Sequence, residues 1–143
     1  MFSPSAILIN GKFVYKNSPF LVSIFSPSFQ YGLNVFEGIR VYVNENTYYP
    51  FLLDQHINRL IESSKLLMIN DTPNGREIEN DINLLLNSET LDEDIYLKYL
   101  LCYLEEGNWS RNDKPDRVCF YYPIKSTFRN NSLKTLNASI TSF

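Results

Sequence analysis

The apolar positions of this chain repeat first with the period of strands, then of helices, then of strands again. Ala6 to Asn10 and Lys12 to Lys16 flank an Asn10-Gly11 pair, the signature of a tight hairpin. Ser18 to Phe25 is apolar enough to extend the same sheet, and Ser26-Pro27-Ser28 reads as a loop. Val35 to Val43 is the strongest strand, with Asn44-Glu45-Asn46 as a polar turn and Thr47 to Phe51 returning beside it. Leu53, Ile57, Leu60, Ile61, Leu67 and Met68 then follow helical spacing, with Asp54 early and Lys65 late, as the helix dipole favours. Asn70 to Pro73 breaks that helix. Asn74 with Glu77 three residues on predicts a capped start for a second one, which ends near Asn87. Strands follow at Asp94 to Leu104, Val118 to Ile124 and Leu136 to Phe143, separated by loops at Glu105 to Asp116 and Lys125 to Ser132. Strands, two helices, then strands predict an α+β fold: a largely antiparallel sheet with two helices on one side.

At 143 residues the chain has the size of one domain. An aromatic fraction of 15% supports a sheet-rich fold with flat pockets. The net charge of -3 and the absence of a basic tract argue against a nucleic-acid partner. No apolar run approaches the roughly 18 residues of a membrane helix, so the reading is a soluble, cytoplasmic protein. Cys102 and Cys119 lie in apolar strand-like runs without metal-binding spacing and read as reduced core residues; no metal is expected. The last strand closes on Phe143 with no polar tail, which reads as a chain that continues into something more.

Two stretches carry candidate chemistry. In Tyr31-Gly-Leu-Asn-Val-Phe-Glu-Gly-Ile-Arg-Val-Tyr42, a turn at Gly32 feeds a strand on which Phe36, Gly38 and Arg40 share one face. A glycine between two large side chains leaves a hollow, as a side-chain pocket needs. In Phe51-Leu-Leu-Asp-Gln-His-Ile-Asn-Arg-Leu60, His56 and Arg59 share one face of a helix. Arg59 suits an anion through paired N–H donors; the bland alternative is a surface salt bridge to Glu62 or Asp54. His56, the only histidine, reads as a packing or hydrogen-bonding residue before a general base.

Phe-Glu-Gly-Ile-Arg followed by His-x-x-Arg-Leu resembles the N-terminal half of the class IV (fold-type IV) aminotransferases, above all the branched-chain amino-acid aminotransferases. The resemblance spans nearly the whole chain. It implies the N-terminal, small domain of an enzyme that uses pyridoxal 5'-phosphate to move an amino group between an amino acid and a 2-oxo acid. The family's enzymes are typically homodimers with a second, lysine-bearing domain, which residues 1–143 lack on this reading. The family pattern puts Arg59 on the cofactor phosphate. It puts Tyr31, Phe36, Gly38 and Arg40, with Tyr96 and Lys98, around the substrate. Lys98 departs from the arginine of the Tyr-x-Arg pattern and leaves the handling of acidic substrates open, because lysine lacks the planar fork. Lys134, in Lys-Thr-Leu-Asn, resembles the Schiff-base lysine of D-amino-acid aminotransferases. The competing reading makes Leu133 to Phe143 the last strand and puts that lysine beyond Phe143, so that no catalytic residue lies in this chain. Glu37 in Phe-Glu-Gly separates the chain from the aminodeoxychorismate lyases and D-amino-acid enzymes that share the fold; both remain alternatives within the family. Outside it, the alternative is a stand-alone, non-catalytic ligand-binding or dimerisation domain of the same fold.

Overall fold

A computed structural model describes residues 6–14, 21–45, 47–110 and 113–124. The expected strand at Leu136 to Phe143, the loop before it, Lys16 and Lys134 lie outside the described residues.

The hairpin forms as β1 (Ile7–Ile9) and β2 (Lys12–Val14), with Asn10 and Gly11 both at positive φ. That is the backbone a two-residue turn of matching twist requires. The segment read as a loop at Ser26 instead starts a short helix, α1 (Pro27–Tyr31). The Ser26 side chain caps it by accepting from the Phe29 amide, Pro27 sits in its first turn, and left-handed Gly32 ends it. The expected sheet extension fails in its described part, since residues 21–25 form no strand. Leu21, Ile24 and Phe25 are exposed, so their apolarity does not mark a buried strand.

The remaining elements follow the sequence expectation closely. They are β3 (Val35–Asn44), β4 (Thr47–Pro50), α2 (Leu53–Leu66), α3 (Gly75–Leu86), β5 (Ile95–Cys102) and β6 (Asp116–Pro123). Asn74 and Glu77 form the predicted capping box, each side chain accepting from the other's backbone amide.

The six strands among the described residues join one antiparallel sheet in the order β2-β1-β6-β5-β3-β4. Side chains alternate between its faces. One face, carrying Leu8, Ile39, Val41, Leu97, Leu101 and Tyr121, packs on Ile57 and Leu60 of α2 and Ile78, Ile82 and Leu85 of α3. The other face has no helix from α2 or α3 against it, and Phe36, Tyr42 and Tyr49 stand exposed there. Cys102 and Cys119 are free and buried. Burial pushes the Cys102 thiol up to about 12 and Cys119 in the same direction, so both stay protonated core groups.

Candidate functional site

Strand β3 serves two clusters, one on each face. Its odd positions point toward the helices, which puts Glu37 between Val35 and Ile39 in the core layer with only 5% of its surface exposed. A carboxylate there is costly unless paired. The pairing comes from α2, where helical geometry places His56 and Arg59 side by side. Arg59 donates from Nε to Glu37 Oε1 at 2.6 Å and from Nη2 to Oε2, a side-on fork; the His56 ring nitrogen Nδ1 lies 2.8 Å from Oε2. An ionised carboxylate can only accept, so His56 Nδ1 carries the proton and donates. The contact of Arg59 Nη2 with His56 Nδ1 at 3.2 Å then brings two donors onto one carboxylate.

Burial pushes the Glu37 carboxyl upward, but the hydrogen bonds from Arg59 and His56, with the guanidinium charge, outweigh it and hold the group below its usual range. Its proton therefore binds more weakly in the folded than in the unfolded chain. Stability from this cluster is complete above the unfolded value of about 4.5 and is lost as pH falls below it. Glu37→Gln should flatten that part of the acid dependence. Urea midpoints between neutral pH and about pH 3 test it; equal acid slopes in parent and variant would remove Glu37 as a contributor.

Arg59 is thus in an ion pair, as the bland alternative held, but with Glu37 and not Glu62 or Asp54. Its side chain is 64% exposed even so. With the Nε–Nη2 edge held by Glu37, the end-on edge formed by Nη1 and Nη2 remains for a second anion.

The even positions of β3 face the open side. Its register with β5 sets Phe36 opposite Leu100, Gly38 opposite Lys98 and Arg40 opposite Tyr96. Five of the residues singled out in the sequence (Phe36, Gly38, Arg40, Tyr96 and Lys98) therefore share one face of two adjacent strands. The hollow expected at Gly38 is not empty. A Cβ built there would lie 1.8 Å from Tyr96 Oη and 2.4 Å from its Cζ, so the tyrosine ring crosses the bare glycine from its diagonal position. Lys98 Nζ rests 5.1 Å from the centre of the Phe36 ring, a cation–π contact. Arg40 reaches Asp94 at 3.3 Å, and its guanidinium stands 4.9 Å from the centre of the Tyr42 ring. Tyr31 ends α1, about half exposed, just before the turn into β3. Arg59 and His56 lie on the opposite side of the sheet from the open-face group. Sequence reasoning passed over Glu37 as a site residue; its signal is a carboxylate on the strand face turned to a His-x-x-Arg helix.

Comparison with known proteins gives one consistent result. The family described as Amino-transferase class IV matches residues 34–137. Aminodeoxychorismate lyase of Bacillus subtilis is 32% identical over 123 residues, 83% of this chain and 40% of that protein. A protein assigned as a branched-chain-amino-acid aminotransferase in Methanocaldococcus jannaschii is 30% identical over 138 residues, 94% of this chain and 46% of that protein. The chain thus spans less than half the length of these relatives. Among solved structures, the branched-chain aminotransferase of Thermoproteus uzoniensis with norvaline aligns at a TM-score of 0.71 and 25% identity, over 84% of this chain and 41% of that one. A T.th. branched-chain amino acid aminotransferase complexed with N-(5'-phosphopyridoxyl)-L-glutamate aligns at 0.71 and 25%, over 87% of this chain and 42% of that one.

Proposed function

The chain belongs to the class IV aminotransferase family, and from that premise we propose that it forms the N-terminal, small domain of a pyridoxal-phosphate enzyme. That enzyme moves an amino group between a branched-chain amino acid and a 2-oxo acid. On this reading it works in the cytoplasm as a homodimer; no helix among the described residues is long and apolar enough to cross a membrane.

The observation that carries the proposal is the division of labour on β3. On one face Glu37 holds an exposed arginine with an open donor edge. On the other, an aromatic ring, a cation and a glycine covered by tyrosine form a mixed apolar and positive surface. The donor set of Arg59 fits the phosphate of pyridoxal phosphate, because a guanidinium edge gives two parallel N–H bonds to phosphate oxygens. Bound pyridoxal phosphate would supply the aldehyde that carries the amino group. Arg59 would anchor its phosphate. Phe36 and Tyr96 would exclude water beside the substrate side chain, and Lys98 would meet an acidic group. The lysine would come from the family's second domain; the competing reading makes it Lys134.

The relation to the Bacillus lyase favours a second reading within the family, cleavage of an aminodeoxychorismate-like substrate. One experiment separates the readings. Incubate the intact protein with pyridoxal phosphate, offer L-leucine with 2-oxoglutarate or aminodeoxychorismate, and trap the cofactor with borohydride for mass mapping. Glutamate formed from leucine supports the aminotransferase, and turnover of aminodeoxychorismate supports the lyase. Neither activity, with no lysine adduct, overturns both in favour of a non-catalytic domain.

A further inference from the structure

We propose that Glu37 is the positioning residue of the anion site: with His56 it holds Arg59 side-on, so that the end-on edge of the guanidinium presents two N–H groups to a phosphate. The inference rests on the reading of Arg59 as the phosphate holder and adds the residue that aims it.

An arginine on a helix surface ordinarily samples many rotamers, and an anion that captures it must order that side chain first. Here the ordering is already done. Glu37 is fixed by its place in β3, buried between core residues, and cannot follow Arg59 outward. Its two oxygens take Nε–H and one Nη2–H of the guanidinium. His56 donates to the same Oε2 from one helical turn away and keeps the carboxylate from rotating. Because the guanidinium is planar and rigid, fixing one edge fixes the direction of the other. A site with its donors aimed in advance binds its ligand with less ordering cost.

Two physical accounts of Glu37 give opposite expectations. If it acted only as a nearby negative charge, Glu37→Gln would tighten anion binding, and Glu37→Asp, which keeps the charge, would leave it unchanged. If it positions Arg59, both variants weaken binding, since the amide accepts less strongly and the shorter side chain withdraws the carboxylate.

The test measures dissociation constants of inorganic phosphate and of pyridoxal phosphate by calorimetry on the intact protein, its Glu37→Gln and Glu37→Asp variants and Arg59→Ala. Thermal midpoints and the Arg59 Nε–H proton resonance are read in the same samples. The expected result is binding weakened about tenfold in both Glu37 variants, the scale of one charge-assisted hydrogen bond. The Nε–H resonance should lose its protection from solvent exchange in step with affinity. Glu37→Asp keeps the charge in the cluster and decides the matter even if Glu37→Gln does not fold. Binding as tight as the parent's in both Glu37 variants, with Arg59→Ala weakened, overturns the positioning role alone. Binding unchanged in Arg59→Ala overturns the anion site itself.

Discussion

Asp81→Ala should cost the fold about 3 kcal/mol, the scale of breaking a buried charged network by removing one partner. Asp81 lies on α3 with 5% of its surface exposed. Its Oδ2 accepts from the Tyr99 hydroxyl at 2.7 Å and forms an ion pair with Arg117, 3.1 Å from Nε, and Arg117 Nη1 reaches Glu77 Oε1 at 3.5 Å. One carboxylate thus ties α3 to both β5 and β6. Tyr99 is fully buried. Burial, with the hydrogen bond to Asp81 and its charge, pushes the phenol pKa up, so it stays a donor. Alanine at position 81 leaves that hydroxyl without its acceptor and the partly buried Arg117 guanidinium with only the longer contact to Glu77. Tyr99→Phe removes only one bond and keeps the Asp81–Arg117 pair, so it should cost about 1 kcal/mol. Urea unfolding of both variants checks the pair. Equal losses in the two would mean that Arg117 gains nothing from Asp81 and that the network is a simple tyrosine hydrogen bond.

The sheet and its two long helices could be read from the sequence because each carries its own local signal. The hairpin has Asn10-Gly11, α3 has the Asn74–Glu77 box, and α2 has an apolar stripe ending in the polar break at Asn70. Helix α1 escaped because five residues are too few for a period to show; only its caps, Ser26, Pro27 and Gly32, announced it. The apolar run before it misled because hydrophobicity without alternation does not define a buried strand. The site divides the same way. That Phe36, Gly38 and Arg40 share a face follows from strand parity alone. Which face is open does not, since Phe36 and Ile39 are both apolar and of opposite parity. The clamp on Arg59 needed α2 folded back over β3. The Tyr96 ring over Gly38 needed the register of β3 against β5, which no local pattern encodes.

On the proposed aminotransferase reading, Arg59→Ala and Lys98→Ala should act on different ligands and combine additively. Arg59 stands on the helix side of β3, bound to Glu37. Lys98 stands on the open side, over Phe36. With the sheet between them and no shared contact among the described residues, each substitution leaves the other site's geometry in place, the condition under which free energies add. In the intact protein, Arg59→Ala should weaken pyridoxal phosphate binding roughly thirtyfold through loss of a forked charge-assisted contact. Once the cofactor is saturating, KM for leucine should barely move. Lys98→Ala should leave cofactor affinity within about twofold and raise KM for glutamate about tenfold, with a smaller effect on leucine, because only glutamate offers a second carboxylate to that cation. Among the described residues of that face Arg40 is paired with Asp94, and Lys98 on the neighbouring strand is the cation proposed to answer that carboxylate. Lys98→Arg should then improve glutamate relative to leucine, since the planar fork binds a carboxylate through two bonds where an ammonium offers a point charge. A titration of cofactor against each single and the double variant, followed by KM for both amino acids, reads all of these effects. A change in cofactor affinity on Lys98→Ala, or coupling above about 0.5 kcal/mol in the double variant, would sink the division of β3 into two independent faces.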